Sequence, residues 1–142
     1  MKMVCVAVMA MALAMGSAVI AADEAQWFTS LPEAQAAAQK AKKPILVDFT
    51  GSDWCGWCIK LRKEVFDTPE FKAWAAKNVI VCEIDFPRAK AQDAAMKKAN
   101  SALAEKYGVE GFPTIIFLSA DGKELGRSGY RPGGAKAWTA DA

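Results

Sequence analysis

Ile45-Leu46-Val47-Asp48-Phe49-Thr50-Gly51-Ser52-Asp53-Trp54-Cys55-Gly56-Trp57-Cys58 is the stretch from which the fold can be read. Its first five residues are a short apolar run of the buried-strand type. Its last five place a C-x-x-C where that strand hands over to a helix running to about Val65. The unpaired N–H groups of the first helical turn point at the first sulfur and favour its thiolate. Two intervening residues bring both sulfurs within bonding reach across one turn. Cys58 lies further into the helix and is expected to be the more buried, so Cys55 attacks and Cys58 resolves. Trp54 and Trp57 flank the pair, placed to shield the second sulfur and to offer apolar contact to an unfolded client.

Working outward, Ser30-Leu31-Pro32-Glu33 has the form of a capping box, opening a helix to about Lys42 that Pro44 ends. Asp67-Thr68-Pro69-Glu70 restarts a helix to about Asn78, and residues 79–84 read as a second apolar strand. From Arg88 to Tyr107, Ala95, Met96, Ala99, Ala102 and Leu103 recur at helical spacing; this predicts a packed Ala and Met face, with Gly108 as the stop. Residues 114–118 form a third strand, which Asp121-Gly122 turns into a hairpin with residues 123–128. A short helix after Gly133-Gly134 ends the pattern, its docking left open. Strands separated by helices imply parallel βαβ units, and the hairpin adds antiparallel strands to the same sheet. The expected fold class is α/β: a central mixed sheet flanked by helices on both faces.

A chain of 142 residues, 53% hydrophobic, suits one domain plus a short appendage. Its charges are scattered around a net +2, so no basic stripe points to nucleic acid. Histidine is absent, which excludes His-based acid–base catalysis, His metal ligation and a Cys–His nucleophile pair. Residues 1–22 combine a basic start, an apolar centre and a small-residue exit, the three parts of a secretory signal peptide. Cleavage near Ala22 or Asp23 leaves residues 23–142 as the mature domain; an uncleaved membrane anchor is the alternative, marginally allowed by length. Cys5 departs with the signal, so the exported chain carries Cys55, Cys58 and Cys82 into the periplasm or another extracytoplasmic space, where disulfides persist.

Two other uses of the C-x-x-C are weaker. Half of a zinc site needs a further pair of ligands, which Cys82 alone cannot complete. A purely structural bridge across so short a loop would constrain little of the unfolded chain. Cys82 reads as a small core residue, or as a third thiol for glutathione or an intermolecular bridge. Asp53 would raise the pKa of Cys55 if it faced the sulfur, whereas Lys60, Arg62 and Lys63 would lower it, though helical spacing points most of them to solvent.

Ile45 to Phe49, Trp54-Cys55-Gly56-Trp57-Cys58 and Gly111-Phe112-Pro113-Thr114 together resemble the thioredoxin superfamily. The run from Thr50 to Cys58 is similar, more narrowly, to exported proteins related to the soluble domains of bacterial thiol:disulfide interchange proteins. The resemblance covers Trp27 to about Trp138 and implies a thioredoxin-like fold over residues 23–142. It implies a cis bond between Phe112 and Pro113, with Phe112 holding the client backbone against Cys55 and Pro113 keeping metal off the thiols. It implies also that Asp48, beneath the disulfide, exchanges a proton with Cys58. The basic partner that the family often carries near this acid is missing, because Val81, Cys82 and Glu83 occupy the corresponding strand.

The expected function is an exported thiol:disulfide oxidoreductase reducing client disulfides, with no cofactor beyond the Cys55–Cys58 disulfide and no metal. Cys55, Cys58 and Asp48 carry the chemistry; Trp54, Gly56, Trp57, Phe112 and Pro113 contact disulfide-containing client proteins. Reduction is favoured over oxidation because no His stands between the cysteines to stabilise the thiolate and with it the dithiol form. A membrane electron donor is the expected source of reducing equivalents. The alternatives are a disulfide oxidase or isomerase, and a non-catalytic client-binding module.

Overall fold

The computed structural model describes residues 25–142. The signal segment, its cleavage point and Cys5 lie outside the described residues. Five strands build one mixed sheet: β1 (Trp27–Phe28), β2 (Ile45–Thr50), β3 (Ile80–Asp85), β4 (Thr114–Leu118) and β5 (Glu124–Ser128). Their spatial order is β1-β3-β2-β4-β5. β3 runs parallel to both β1 and β2, while β4 is antiparallel to β2 and to β5. β2, the run that opened the sequence reading, is buried at all six positions because it is the centre of the sheet.

Five helices cover the two faces. On one face α1 (Leu31–Ala41) and α4 (Ala94–Lys106) lie over Val47, Phe49, Cys82, Ile84, Ile116 and Leu118. On the other, α2 (Gly56–Leu61), a π-helical turn (Arg62–Phe66), α3 (Pro69–Asn78) and α5 (Gly134–Ala140) enclose Leu46, Val81 and Ile115. The strand period of two decides which residue joins which face. α3 starts where the sequence places it: Thr68 Oγ1 accepts the amide of Phe71, with Pro69 in the first turn. Past the end of α4, Gly108 takes a left-handed φ of 62°, and the amide of Val109 bonds Ala104 O at 2.8 Å.

Several expectations are corrected. Ser30 makes no side-chain cap, since Pro32 removes one of the two amides such a cap can bond. The helix expected from Arg88 begins at Ala94, after a loop fixed by other bonds. Its Ala and Met face does not pack: Ala95, Met96, Ala99 and Ala102 are exposed. The face turned inward is Asn100, Leu103, Ala104 and Tyr107, whose polar first member disguises it in the sequence. β4 and β5 are the antiparallel strands expected of the hairpin: the chain leaves β3 and begins β4 at the same end of the sheet, so β4 runs against β2. The two-residue β1 escaped notice; Trp27 sits 5.2 Å from the ring of Phe66, centroid to centroid. α5 docks firmly, with Trp138 buried against Phe66, Phe71, Trp74 and Phe117.

Candidate active site

The site gathers at the end of the sheet where β2 stops and β4 starts, Phe49 standing opposite Thr114. After Thr50 the chain turns back through Gly51, whose carbonyl accepts the amides of Trp54 and Cys55. A Cβ at Gly51 would collide with the Trp54 indole, so only glycine lets that ring lie against the turn. α2 then starts with Cys55 as its N-cap, and Cys55 Sγ accepts the Cys58 amide at 3.3 Å. Cys55 and Cys58 form a disulfide with their Cα atoms 5.2 Å apart. The expected contrast in burial is slight, at 7% and 5% exposure, so position at the helix start distinguishes the sulfurs more than access does.

Asp48 faces the same side of β2 as Leu46, the side covered by α2 and the π-helical turn. Burial pushes its carboxyl up to about 8, with the neighbouring charge of Glu83 adding to the rise and Arg62 opposing it. Its Oδ1 has no hydrogen-bond partner. A buried acid in that condition is neutral at pH 7 and has a proton to give. The sequence expectation that no cation stands near Asp48 is corrected: Arg62 approaches from the helix rather than from the strand, and ion-pairs with Glu83. Arg62 is therefore not among the side chains turned wholly to solvent.

Asp53 does not face Cys55. Its carboxylate accepts the amides of Arg88, Ala89 and Lys90, each at 2.9 Å, and these bonds, Arg88 first, hold its pKa below the usual value. Burial pushes Asp85 up, but the Ser52 hydroxyl and amide, with Lys90, outweigh it and leave this acid below the ordinary range. The loop after β3 is thereby fastened to the turn before the cysteines. Trp54 is clamped in the same assembly: Nε1 donates to Phe86 O at 2.7 Å, and the Arg88 guanidinium lies 3.5 Å from the ring centroid. Its edge meets Phe112 at 5.9 Å, and Phe112 stacks on Phe86 at 5.0 Å.

The Phe112–Pro113 bond is cis and leads directly into β4. Trp57, by contrast, is 57% exposed and leans on Tyr130 with ring centroids 4.9 Å apart. Lys60 Nζ sits 5.2 Å from both rings, and Tyr130 donates to Glu64 at 2.8 Å. A Cβ at Gly56 or at Gly111 would meet nothing within 4 Å, so both positions border open space. Cys82 is enclosed in the core on the opposite face of the sheet, and burial pushes its thiol up to about 12. Among the described residues no group of three or more Cys, Asp or Glu side chains is arranged to hold a metal ion. Nor is any helix there long and apolar enough to cross a membrane.

Arg62, Glu83, Phe86, Arg88 and Tyr130 were not singled out as site residues by the sequence. Glu83 offered a signal, being a charge inside an otherwise apolar strand; Tyr130 offered none, because its contact with Trp57 spans more than seventy residues of chain. The arrangement can exchange two electrons through the sulfur pair, and the same face of the sheet carries the buried Asp48 carboxyl.

The thioredoxin-like domain family matches the chain over residues 31–139. The disulfide bond reductase DsbH of Chlamydia pneumoniae is 41% identical over 119 residues, covering 84% of this chain and 71% of that protein. The thiol:disulfide interchange protein DsbD of Klebsiella pneumoniae is 32% identical over 90 residues, which is 63% of this chain but 14% of DsbD. A solved DsbH oxidoreductase superposes with a TM-score of 0.79 at 36% identity, covering 93% of this chain and 91% of that one. Homologous to Dsb thiol:disulfide oxidoreductases and built around a Cys55–Cys58 pair on a five-stranded mixed sheet, the chain belongs to the thioredoxin-like domain family.

Proposed function

We propose that this protein is an exported disulfide reductase whose dithiol is Cys55 and Cys58. The observation that carries the proposal is the placing of Cys55 Sγ at the N-cap of α2, where it accepts the Cys58 amide. The same hydrogen bond, with the helix dipole behind it, lowers the energy of a thiolate at Cys55. That thiolate attacks one sulfur of a client disulfide, giving a Cys55–client mixed disulfide and releasing the other client sulfur as a thiol. Cys58 then attacks Cys55 Sγ, its proton passes to Asp48, which is the carboxylate in the dithiol form, and the second client sulfur leaves and is protonated. Client cystine is reduced by two electrons and the Cys55–Cys58 dithiol is oxidised.

Clients approach the disulfide where Gly56 and Gly111 each leave open space. In this reading Phe112, Pro113 and the exposed Trp57 contact the client, and Trp54 braces Phe112. Two observations favour the reducing direction. Gly56-Trp57 carries no group to stabilise the thiolate, and the Chlamydia relative is named a disulfide bond reductase. Export, through removal of residues 1–22, supplies the compartment in which client disulfides exist; a membrane electron donor restores the dithiol.

The test is a Cys58→Ser variant expressed in its own host. It is expected to accumulate client proteins attached to Cys55 and released by dithiothreitol. Equal client binding by a Cys55→Ser/Cys58→Ser double variant would instead make the protein a non-catalytic binder. Equilibration with glutathione buffers checks direction: a midpoint as oxidising as ~−180 mV, the range of protein disulfide isomerase, would replace reductase with oxidase or isomerase.

A further inference from the structure

Asp48 and Glu83 are in-register neighbours on β2 and β3, their side chains on the same face of the sheet. Two carboxyls so placed repel unless one is protonated or a cation intervenes. Here the cation is Arg62, at the start of the π-helical turn that continues the cysteine helix. It bonds Glu83 and so fixes that carboxylate beside Asp48, while Asp48 Oδ1 is left without a partner. The other groups around Asp48 are accounted for. Asp85 is fastened to Ser52 and Lys90, Ile115 of β4 is apolar, Cys82 points to the other face, and the disulfide carries no charge.

We propose that Glu83, held by Arg62, is a positioning residue for the redox cycle: the pair biases buried Asp48 between its proton-loaded and empty forms and thereby the proton traffic at Cys58. When a dithiol donor opens the oxidised protein, its thiolate attacks Cys55 Sγ. The Cys55–Cys58 bond breaks, a donor–Cys55 disulfide forms, and the Cys58 sulfur leaves with the bonding electron pair and takes the proton from Asp48. A second donor thiolate then releases Cys55 and completes the two-electron reduction. In the forward direction Cys58 returns its proton to Asp48. Glu83 favours the proton-loaded form of Asp48 and Arg62 favours the empty one, so the pair balances the two half-reactions near neutral pH.

The inference rests on the acid–base role proposed for Asp48, and the two can fail separately. The direct readout is the pH titration of the Asp48 carboxyl 13C resonance in the oxidised protein. Glu83→Gln is expected to move its midpoint down by about one pH unit, and Arg62→Met to move it up. Loss of a merely structural ion pair would move both the same way. Arg62→Lys should restore the wild-type midpoint, and Glu83→Gln/Arg62→Met should return most of the way to it, which controls for damage to the fold. The pH profile for release of a model client from its Cys55 mixed disulfide should shift in the same two directions. Shifts of one sign in both single variants, or an unmoved carboxyl midpoint, overturn the inference alone. A release profile unchanged in Asp48→Asn overturns the acid–base role and the inference with it.

Discussion

Replacing Asp48 by Asn has a consequence for stability that the structure allows to be worked out. The folded protein holds the Asp48 proton up to about pH 8, whereas the unfolded chain releases it near 3.8. Across that window the folded state binds one proton more, so this group's contribution is fully present below the unfolded value and is lost as pH rises toward 8. The slope is about 1.4 kcal/mol per pH unit, or roughly 4 kcal/mol between pH 5 and pH 8. Few other groups titrate between pH 5 and pH 8: there is no histidine, and the Cys82 thiol ionises above that window, near 9.0 in the unfolded chain and pushed up to about 12 in the folded one. Asparagine abolishes the proton exchange. Its buried amide adds a cost of about 1–3 kcal/mol if unpaired, but that cost does not vary with pH. Urea unfolding of the oxidised protein at pH 5, 6, 7 and 8 therefore separates the two effects. The wild type should lose stability steadily with pH, and Asp48→Asn should stay nearly flat, becoming the more stable protein by pH 8. A flat wild-type profile, or parallel slopes in the two proteins, would refute the argument that this carboxyl is buried uncharged.

Three further outcomes are expected. Asp53→Ala should leave Cys55 reactivity nearly unchanged but remove hydrogen-exchange protection from the amides of Arg88, Ala89 and Lys90, which its carboxylate now accepts. Trp138→Ala should cost about 3–5 kcal/mol in urea unfolding, since it empties the centre of the aromatic cluster and strands Gly129 O, to which the indole donates at 3.0 Å. In native reduced protein, iodoacetamide at pH 8 should label Cys55 and leave Cys82 untouched until urea unfolds the chain, because burial keeps that thiol protonated.

The redox pair, the strand before it, the Gly108 stop and the Asp121-Gly122 hairpin were all legible in the sequence. Each is written in a pattern a few residues long: a spacing, a turn pair, an alternation. The α4 face shows how such patterns mislead. Alanine suits either side of a helix, so Ala95, Ala99 and Ala102 suggested packing, while the anchoring Asn100 looked like surface. The role of Asp53 stayed open in the sequence for a related reason, because nearness in sequence to Cys55 says nothing of which way a carboxylate turns.

By itself the sequence determined which chemistry this protein carries, since a strand, a helix start and two sulfurs two residues apart are local matters. Only the tertiary structure decided what surrounds that chemistry. Strand register set Glu83 beside Asp48 across 35 residues of chain, and the π-helical turn brought Arg62 over them. Packing of the final segment placed Tyr130 under Trp57. These contacts come from whole elements docking to bury apolar area, and the energy that selects one docking over another is spread across the core rather than inscribed at the residues that meet.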